Sequence, residues 1–436
     1  MADQPEPINI LAPHSFRQAL TRRSLFQVGG AAAGLAIVAT ACGSDAKPAT
    51  SPTTTAAASG GGSTTTAAAG PTTTGGSTTD GTAVPQASGD WSRVVNKSSG
   101  TLAMYTWGEY NEPAIVGALA QSTLGVTMKV DYYTSNEDLI TKLSASSGAS
   151  GFDIVVPTGP YIPQMIQKGL LEKFDKTKLP NIVNLDPLYL KQAWDPTNDY
   201  SVCKDWGSTG YMWDTTQVSK NIVTWQDFMD AAMGEASGNV SVLDTPANVC
   251  GMWLWANGYD WNTNDKAQLD ACEAFLVDKF ASHIKAFDSY PSTKMAEGAY
   301  ALSMFWNGDA RQAYQRIADA GGKPENFKWA LGSPATELWM DNYCIPAGAP
   351  NPDAAHAWIN WLMVPEISIR DLNYHGYHSG MKTIDKLIAE LYPKMAHPDM
   401  IFFPDNQVKT MHTQIVGASQ DRLVSILDKV KAKAGG

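Results

Sequence analysis

The sequence predicts an α/β fold, and three features point to it. From Thr101 onward, short strand-like runs alternate with helix-patterned segments. Apolar patterning persists throughout this stretch of a chain that is 44% hydrophobic, enough for a sizeable core in two or three domains. Polar and aromatic residues cluster where the strands should end, the usual ligand position in open parallel sheets. In chain order, Leu102 to Thr106 reads as a strand and Glu112 to Leu124 as a helix. Val126 to Tyr133 is a second strand, Asn136 to Ser144 a helix, and Phe152 to Pro157 a short strand closed by proline. The strand-end clusters are Trp107-Gly108-Glu109-Tyr110, Thr158-Gly159, and Trp306-Asn307-Gly308-Asp309 after Ala301 to Phe305.

The stretch before this body reads as an address and a tether. Arg22-Arg23 is a twin-arginine pair ahead of an uncharged Gly/Ala-rich run, Val28 to Ala41. That run is about 14 residues, too short to span a bilayer as a helix. Val38-Ala39-Thr40-Ala41-Cys42 resembles a lipoprotein processing box, with cleavage before Cys42 and acylation of its thiol expected. Residues 1–41 are therefore assigned to a twin-arginine/lipoprotein signal and 42–95 to a disordered Ser/Thr/Gly/Ala linker, which cannot bury enough apolar surface to offset chain entropy. The expected location is periplasmic or extracytoplasmic, with the protein anchored by lipid to the outer face of the cytoplasmic membrane. Four further cysteines, Cys203, Cys250, Cys272 and Cys344, allow three pairings in an oxidising compartment or four buried thiols; Cys250 and Cys272 are the first pair to test.

The formal charge of −11 argues against nucleic-acid binding, which needs clustered Lys and Arg, and is compatible with a cationic ligand. Several clusters join a ring to a carboxylate. Trp107 and Glu109 share an extended turn, Trp306 and Asp309 are three apart at a helix start, and Trp339 and Asp341 alternate on one strand face. Tyr377 follows a glycine in a comparable setting. A polyamine suits such pairings, because its ammonium ends need charge-assisted hydrogen bonds and its methylene stem packs on indole faces.

From about Thr101 to Ala434 the chain resembles the spermidine/putrescine-binding periplasmic proteins of polyamine importers. The resemblance is carried in order by Tyr-Thr-Trp-Gly-Glu-Tyr ending at Tyr110, Thr134-Ser-Asn-Glu-Asp-Leu-Ile-Thr-Lys-Leu143 and Phe152-Asp-Ile-Val-Val-Pro157. It continues through Asn184-Leu-Asp-Pro187, Asp195-Pro-Thr-Asn-Asp-Tyr-Ser201, Met304-Phe-Trp-Asn-Gly-Asp309, Trp339-Met-Asp341 and Ile345-Pro-Ala347. It implies a two-lobed periplasmic-binding-protein fold with crossing hinge strands near Trp206, Trp339 and Asp385. The lobes would be 96–206 plus 340–385 and 207–339 plus 386–436. The implied ligand contacts are Trp107, Glu109, Tyr110, Thr158, Asn248, Trp306, Asp309, Trp339, Asp341 and Tyr377. The chain departs from the family pattern in three places. Asn248 stands where the family usually has a glutamate, Thr245 where some members have an acid, and Pro160 beside Tyr161 where an aromatic often follows the Thr158 loop. A glutamine contact would fall at Thr413 or Gln414. One end of the site is therefore expected to have lost negative charge, favouring a shorter diamine, a monoamine or an amino-acid-like cation. The implied partners are a small cationic ligand and an ABC permease in the membrane, with the chain itself a monomer.

Rival functions find less support. No G-x-S-x-G, P-loop or HExxH pattern is present, so no enzyme is expected. His375 and His378, with His397 and His412, read as surface histidines; no metal and no cofactor are expected. A sugar-binding relative would carry more Asn, Gln and Arg than carboxylates at the strand ends.

Overall fold

The computed structural model describes residues 86–146 and 149–435. The twin-arginine pair, Cys42 and the linker up to residue 85 lie outside the described residues. Residues 86–95, assigned above to the linker, instead lie along the folded body. The Ala87 amide donates to Glu366 at 2.8 Å, Arg93 pairs with the same carboxylate at 2.7 Å, and the Ser92 hydroxyl donates to Asn181 at 2.7 Å. Composition missed this because the anchoring groups lie far away in sequence.

The first sheet is parallel. Strand β1 (Gly100–Trp107) lies between β2 (Val126–Tyr133) and β3 (Ile154–Val155). Parallel neighbours need crossovers, and helical segments supply them. Between β1 and β2 the predicted helix is present over 113–123, with a π-helical turn, Ile115–Leu119, kinked at Gly117 and running on into Ala120–Thr123. The helix Asn136–Ala145 links β2 to β3, and its Ser135 side chain accepts from the Asp138 amide at 3.1 Å, which starts the first turn. All three strands run in one direction, so the Trp107 turn and the Thr158 loop emerge at the same edge.

After the short β4 (Leu171–Glu172), strand β5 (Val202–Asp214) runs from one hydrophobic core into another. Val202, Cys203 and Trp206 pack in the first core; Tyr211 and Trp213 pack in the second. Its second half joins β6 (Val240–Val242), β7 (Ile284–Phe287), β8 (Leu302–Trp306) and β9 (Phe327–Leu331) in a mixed sheet. Strand β10 (Thr336–Tyr343) returns antiparallel to β5, with Trp339 opposite Gly207 and Asp341 opposite Asp205. The helix Ile384–Leu391 buries its apolar face in the first core with Asp385 exposed, and Ile401 to Met411 also pack there. The chain enters the second core again with Gln420–Ala434.

Cys203, Cys250, Cys272 and Cys344 are buried free thiols. Cys250 and Cys272 are neighbours, Cys272 Sγ lying 3.8 Å from the Cys250 carbonyl, but no bond joins them. Among the described residues no helix is long and apolar enough to cross a membrane.

Gly207 is required where the two long strands cross. A Cβ there would lie 2.5 Å from the Trp339 indole and 2.4 Å from Asn307 Oδ1. Gly207→Ala is expected to destabilise the protein by about 1–3 kcal/mol through overpacking. Urea denaturation should show it as a lower midpoint at unchanged slope.

Candidate functional site

Parallel β1 and β3 on one side and the β8–helix junction on the other bring their ends to a cleft walled from both cores. All ten residues implied by the family resemblance line it. The rings form its sides. Trp107 and Trp306 stand edge to face at 5.7 Å, and Trp339 and Tyr377 at 4.8 Å. Trp107 is fixed by its indole N–H donating to the Val156 carbonyl at 3.1 Å. Tyr377 lies against Gly308, where a Cβ would come within 2.6 Å of its ring. Thr158 is set by Asn136, whose side chain accepts from the Thr158 amide and donates to its hydroxyl, both at 2.9 Å.

Charge defines the site. The lining holds five carboxylates, Glu109, Glu137, Asp309, Glu337 and Asp341, and no Lys, Arg or His among the described residues. Glu109 takes φ of 55°, a left-handed conformation uncommon for a side chain of this kind. Its carboxylate meets Arg316 at 2.7 Å and the Ser292 hydroxyl at 3.3 Å, so its charge is already answered. Asp309, in the first turn of the helix Asn307–Asp319, is buried, and its Oδ2 has no hydrogen-bond partner. Burial first, and Glu109 second, hold its carboxyl well above the usual range.

Asp341 is the most informative of the five. Its Oδ2 lies 2.8 Å from the Tyr110 hydroxyl, which also hydrogen-bonds Asp205, while its Oδ1 is buried without a partner. One hydroxyl proton cannot serve two carboxylates. The chain of bonds closes if Asp341 is protonated and donates to Tyr110 while Tyr110 donates to Asp205. Burial and the neighbouring Asp205 raise Asp341 to about 8, in keeping with that arrangement. Behind it, Lys204 Nζ lies 2.7 Å from Asp205, 3.4 Å from Asp371 and 3.9 Å from the Tyr110 ring centre. This cation is committed to the floor of the site and is not among the lining residues.

The expected loss of charge beside Asn248 is not found. Asn248 Nδ2 donates to Glu337 Oε2 at 2.7 Å, and the Thr209 hydroxyl donates to the same oxygen at 2.9 Å. Glu337 thus restores a carboxylate where position 248 lacks one. Sequence reasoning missed it, although period-two alternation puts it on the face of Trp339 and Asp341. Tyr161, noted beside Pro160, lines the cleft, and so do Glu137 and Tyr290, which had not been singled out. Glu137 accepts from the Tyr161 hydroxyl at 2.9 Å and from Gln420 at 2.6 Å. The Tyr290 hydroxyl accepts from the Gly108 amide at 2.9 Å and reaches the Tyr133 carbonyl, from a loop with no periodic signal. Of the two candidates for a glutamine contact, Gln414 lines the cleft. His375 and His378 are buried, contrary to expectation; the Tyr377 amide donates to His375 Nδ1 at 3.0 Å. No cluster of metal-ligating side chains occurs among the described residues.

Removing the charge on Lys204 should expose how the floor is held. Lys204→Met leaves Asp205 and Asp371 buried without their cation and is expected to cost about 3–5 kcal/mol, read by chemical denaturation.

Residues 114–389 match the family described as bacterial extracellular solute-binding protein. The chain is 33% identical over 338 residues to the spermidine/putrescine-binding periplasmic protein of Escherichia coli, covering 76% of this chain and 92% of that one. It is 28% identical over 339 residues to a putrescine-binding periplasmic protein of Pseudomonas aeruginosa, covering 71% and 88%. Among solved structures, a putative spermidine/putrescine ABC transporter from Listeria monocytogenes superposes with a TM-score of 0.66 at 26% identity, covering 77% of this chain and 99% of that one. The TpPotD lipoprotein of Treponema pallidum superposes with a TM-score of 0.63 at 26% identity, covering 76% and 99%. These relatives bind solutes and are not enzymes, and their two-lobed architecture is shared here. The chain belongs to the bacterial extracellular solute-binding protein family, within its spermidine/putrescine-binding periplasmic branch.

Proposed function

We propose that this protein is the lipid-anchored, extracytoplasmic solute-binding component of an ABC importer, and that it closes its cleft on a di- or polyamine. The observation that carries this reading is a lining with five carboxylates, several aromatic rings and no cationic side chain among the described residues. Carboxylates buried without counterions are costly unless protonated or paired. An ammonium group satisfies them, and each indole face it passes over contributes ~0.5–2 kcal/mol. The similarity to spermidine/putrescine-binding and putrescine-binding proteins, and to a spermidine/putrescine ABC transporter, supports an amine guest and a transport role. One lobe is assigned to 96–206 plus 340–385, around the first core, and the other to 207–339, around the second core and a smaller cluster with Met212 and Phe305, with Leu338 and Trp339 packing on the first core at the crossing. The last crossing is assigned to residues 412–419 rather than to the neighbourhood of Asp385, because 401–411 pack with the first core. Ligand bound to both walls then favours the closed form by differential affinity and presents it to the permease.

Asp341→Asn is expected to weaken binding of 1,4-diaminobutane by about 2–5 kcal/mol in calorimetry, because a desolvated ammonium loses its counterion. An unchanged dissociation constant would remove the site. Acidity should act in a defined direction. Asp341, raised to about 8, carries a proton below that pH and must release it to pair with a cation. Affinity should therefore climb from about pH 6 towards pH 8, with proton release measurable in buffers of different ionisation enthalpy. Tighter binding in acid would contradict the assignment. For the anchor, Cys42→Ser should move the exported protein from the membrane to the soluble fraction; retention on the membrane argues against acylation there.

A further inference from the structure

Strand β10 carries more of the site than its Trp–Asp pair. Glu337, Trp339 and Asp341 alternate along it, and all three line the cleft. At strand spacing the outer two Cα positions are about 13 Å apart, with an indole midway between them. Glu337 is buried, and among the described residues no Lys or Arg pairs with it. Its two hydrogen bonds, from Asn248 and Thr209, both end on Oε2, so they orient the carboxylate without neutralising it. Asn248 is itself held by the Thr245 hydroxyl at 2.5 Å. This is a built acceptor: two neutral donors fix one oxygen, and the negative charge is left for a guest.

We propose that Glu337 is a specificity-determining residue that receives a second ammonium group of the guest, so that Glu337, Trp339 and Asp341 act as a ruler selecting two cationic ends separated by an apolar stem. The proposal rests on the amine reading of the cleft and adds to it the requirement for two charges. A guest with one charge leaves one of the two carboxylates buried and unpaired, so the penalty for monoamines arises from Glu337 itself. Asn248 and Thr209 are positioning residues for it. The carboxylate absent at position 248 has been relocated to the neighbouring strand.

The test compares spermidine and 1,4-diaminobutane with N-acetylputrescine, which keeps the stem but has a single cationic end, by calorimetry on the native chain, Glu337→Gln, and the double variant Glu337→Gln with Asn248→Asp. Gln keeps the size of Glu337 and an oxygen for the donors from Asn248 and Thr209. In Glu337→Gln, binding of the two polyamines should weaken about 30-fold or more, while N-acetylputrescine changes less than about 3-fold. The double variant, which returns a carboxylate to the same end of the cleft, should recover most of the loss. Equal weakening of all three guests, or no weakening, overturns the role of Glu337. Failure of the native chain to bind any of the three would instead overturn the amine reading on which it rests.

Discussion

The antiparallel pairing of β5 with β10 is the constraint on which the site depends. Asp341 stands opposite Asp205, and Trp339 lies over Gly207. Through that register the buried pair Lys204–Asp205 sits directly beneath the carboxylate facing the cleft, linked to it by the Tyr110 hydroxyl. A slip of one residue would turn Trp339 and Asp341 to the opposite face and bury them against the wrong neighbours. The same two strands also join the two cores, so the element that forms the floor of the site is the one that any rearrangement of the lobes must bend.

Two kinds of buried charge serve different ends here. In the floor, a single Lys204 is shared by Asp205 and Asp371, both of which burial raises. In the lining, Asp309, Glu337 and Asp341 are buried without a cation, and burial raises all three. The floor therefore holds a cation of its own, while these three lining carboxyl groups have none among the described residues. Glu109 stands apart because Arg316 already answers it, which makes it a gatepost tying β1 to the helix Asn307–Asp319 rather than a free acceptor.

Much of this site was legible because its chemistry is local. Trp306 and Asp309 lie on one helical turn, Trp339 and Asp341 on one strand face, and Trp107 and Glu109 in one turn, so spacing alone selected them. What failed to show were residues whose role depends on a neighbour from another element. Glu337 reads as an ordinary polar residue at a strand start until Asn248 and Thr209 are seen to hold it. Tyr290 lies in a loop and matters only because the Gly108 amide meets its hydroxyl across the cleft.

By itself, the sequence determined the alternation of strands and helices, the acidic and aromatic character of the strand ends, and the family resemblance, because each is written in residue type and short-range period. Tertiary structure alone decided that residues 86–95 bind the body, that His375 and His378 are buried, and that the negative charge missing at position 248 reappears at Glu337. Each of those outcomes depends on contacts between segments separated by tens to hundreds of residues. Burial and counterion placement are properties of such contacts, and no local pattern encodes them.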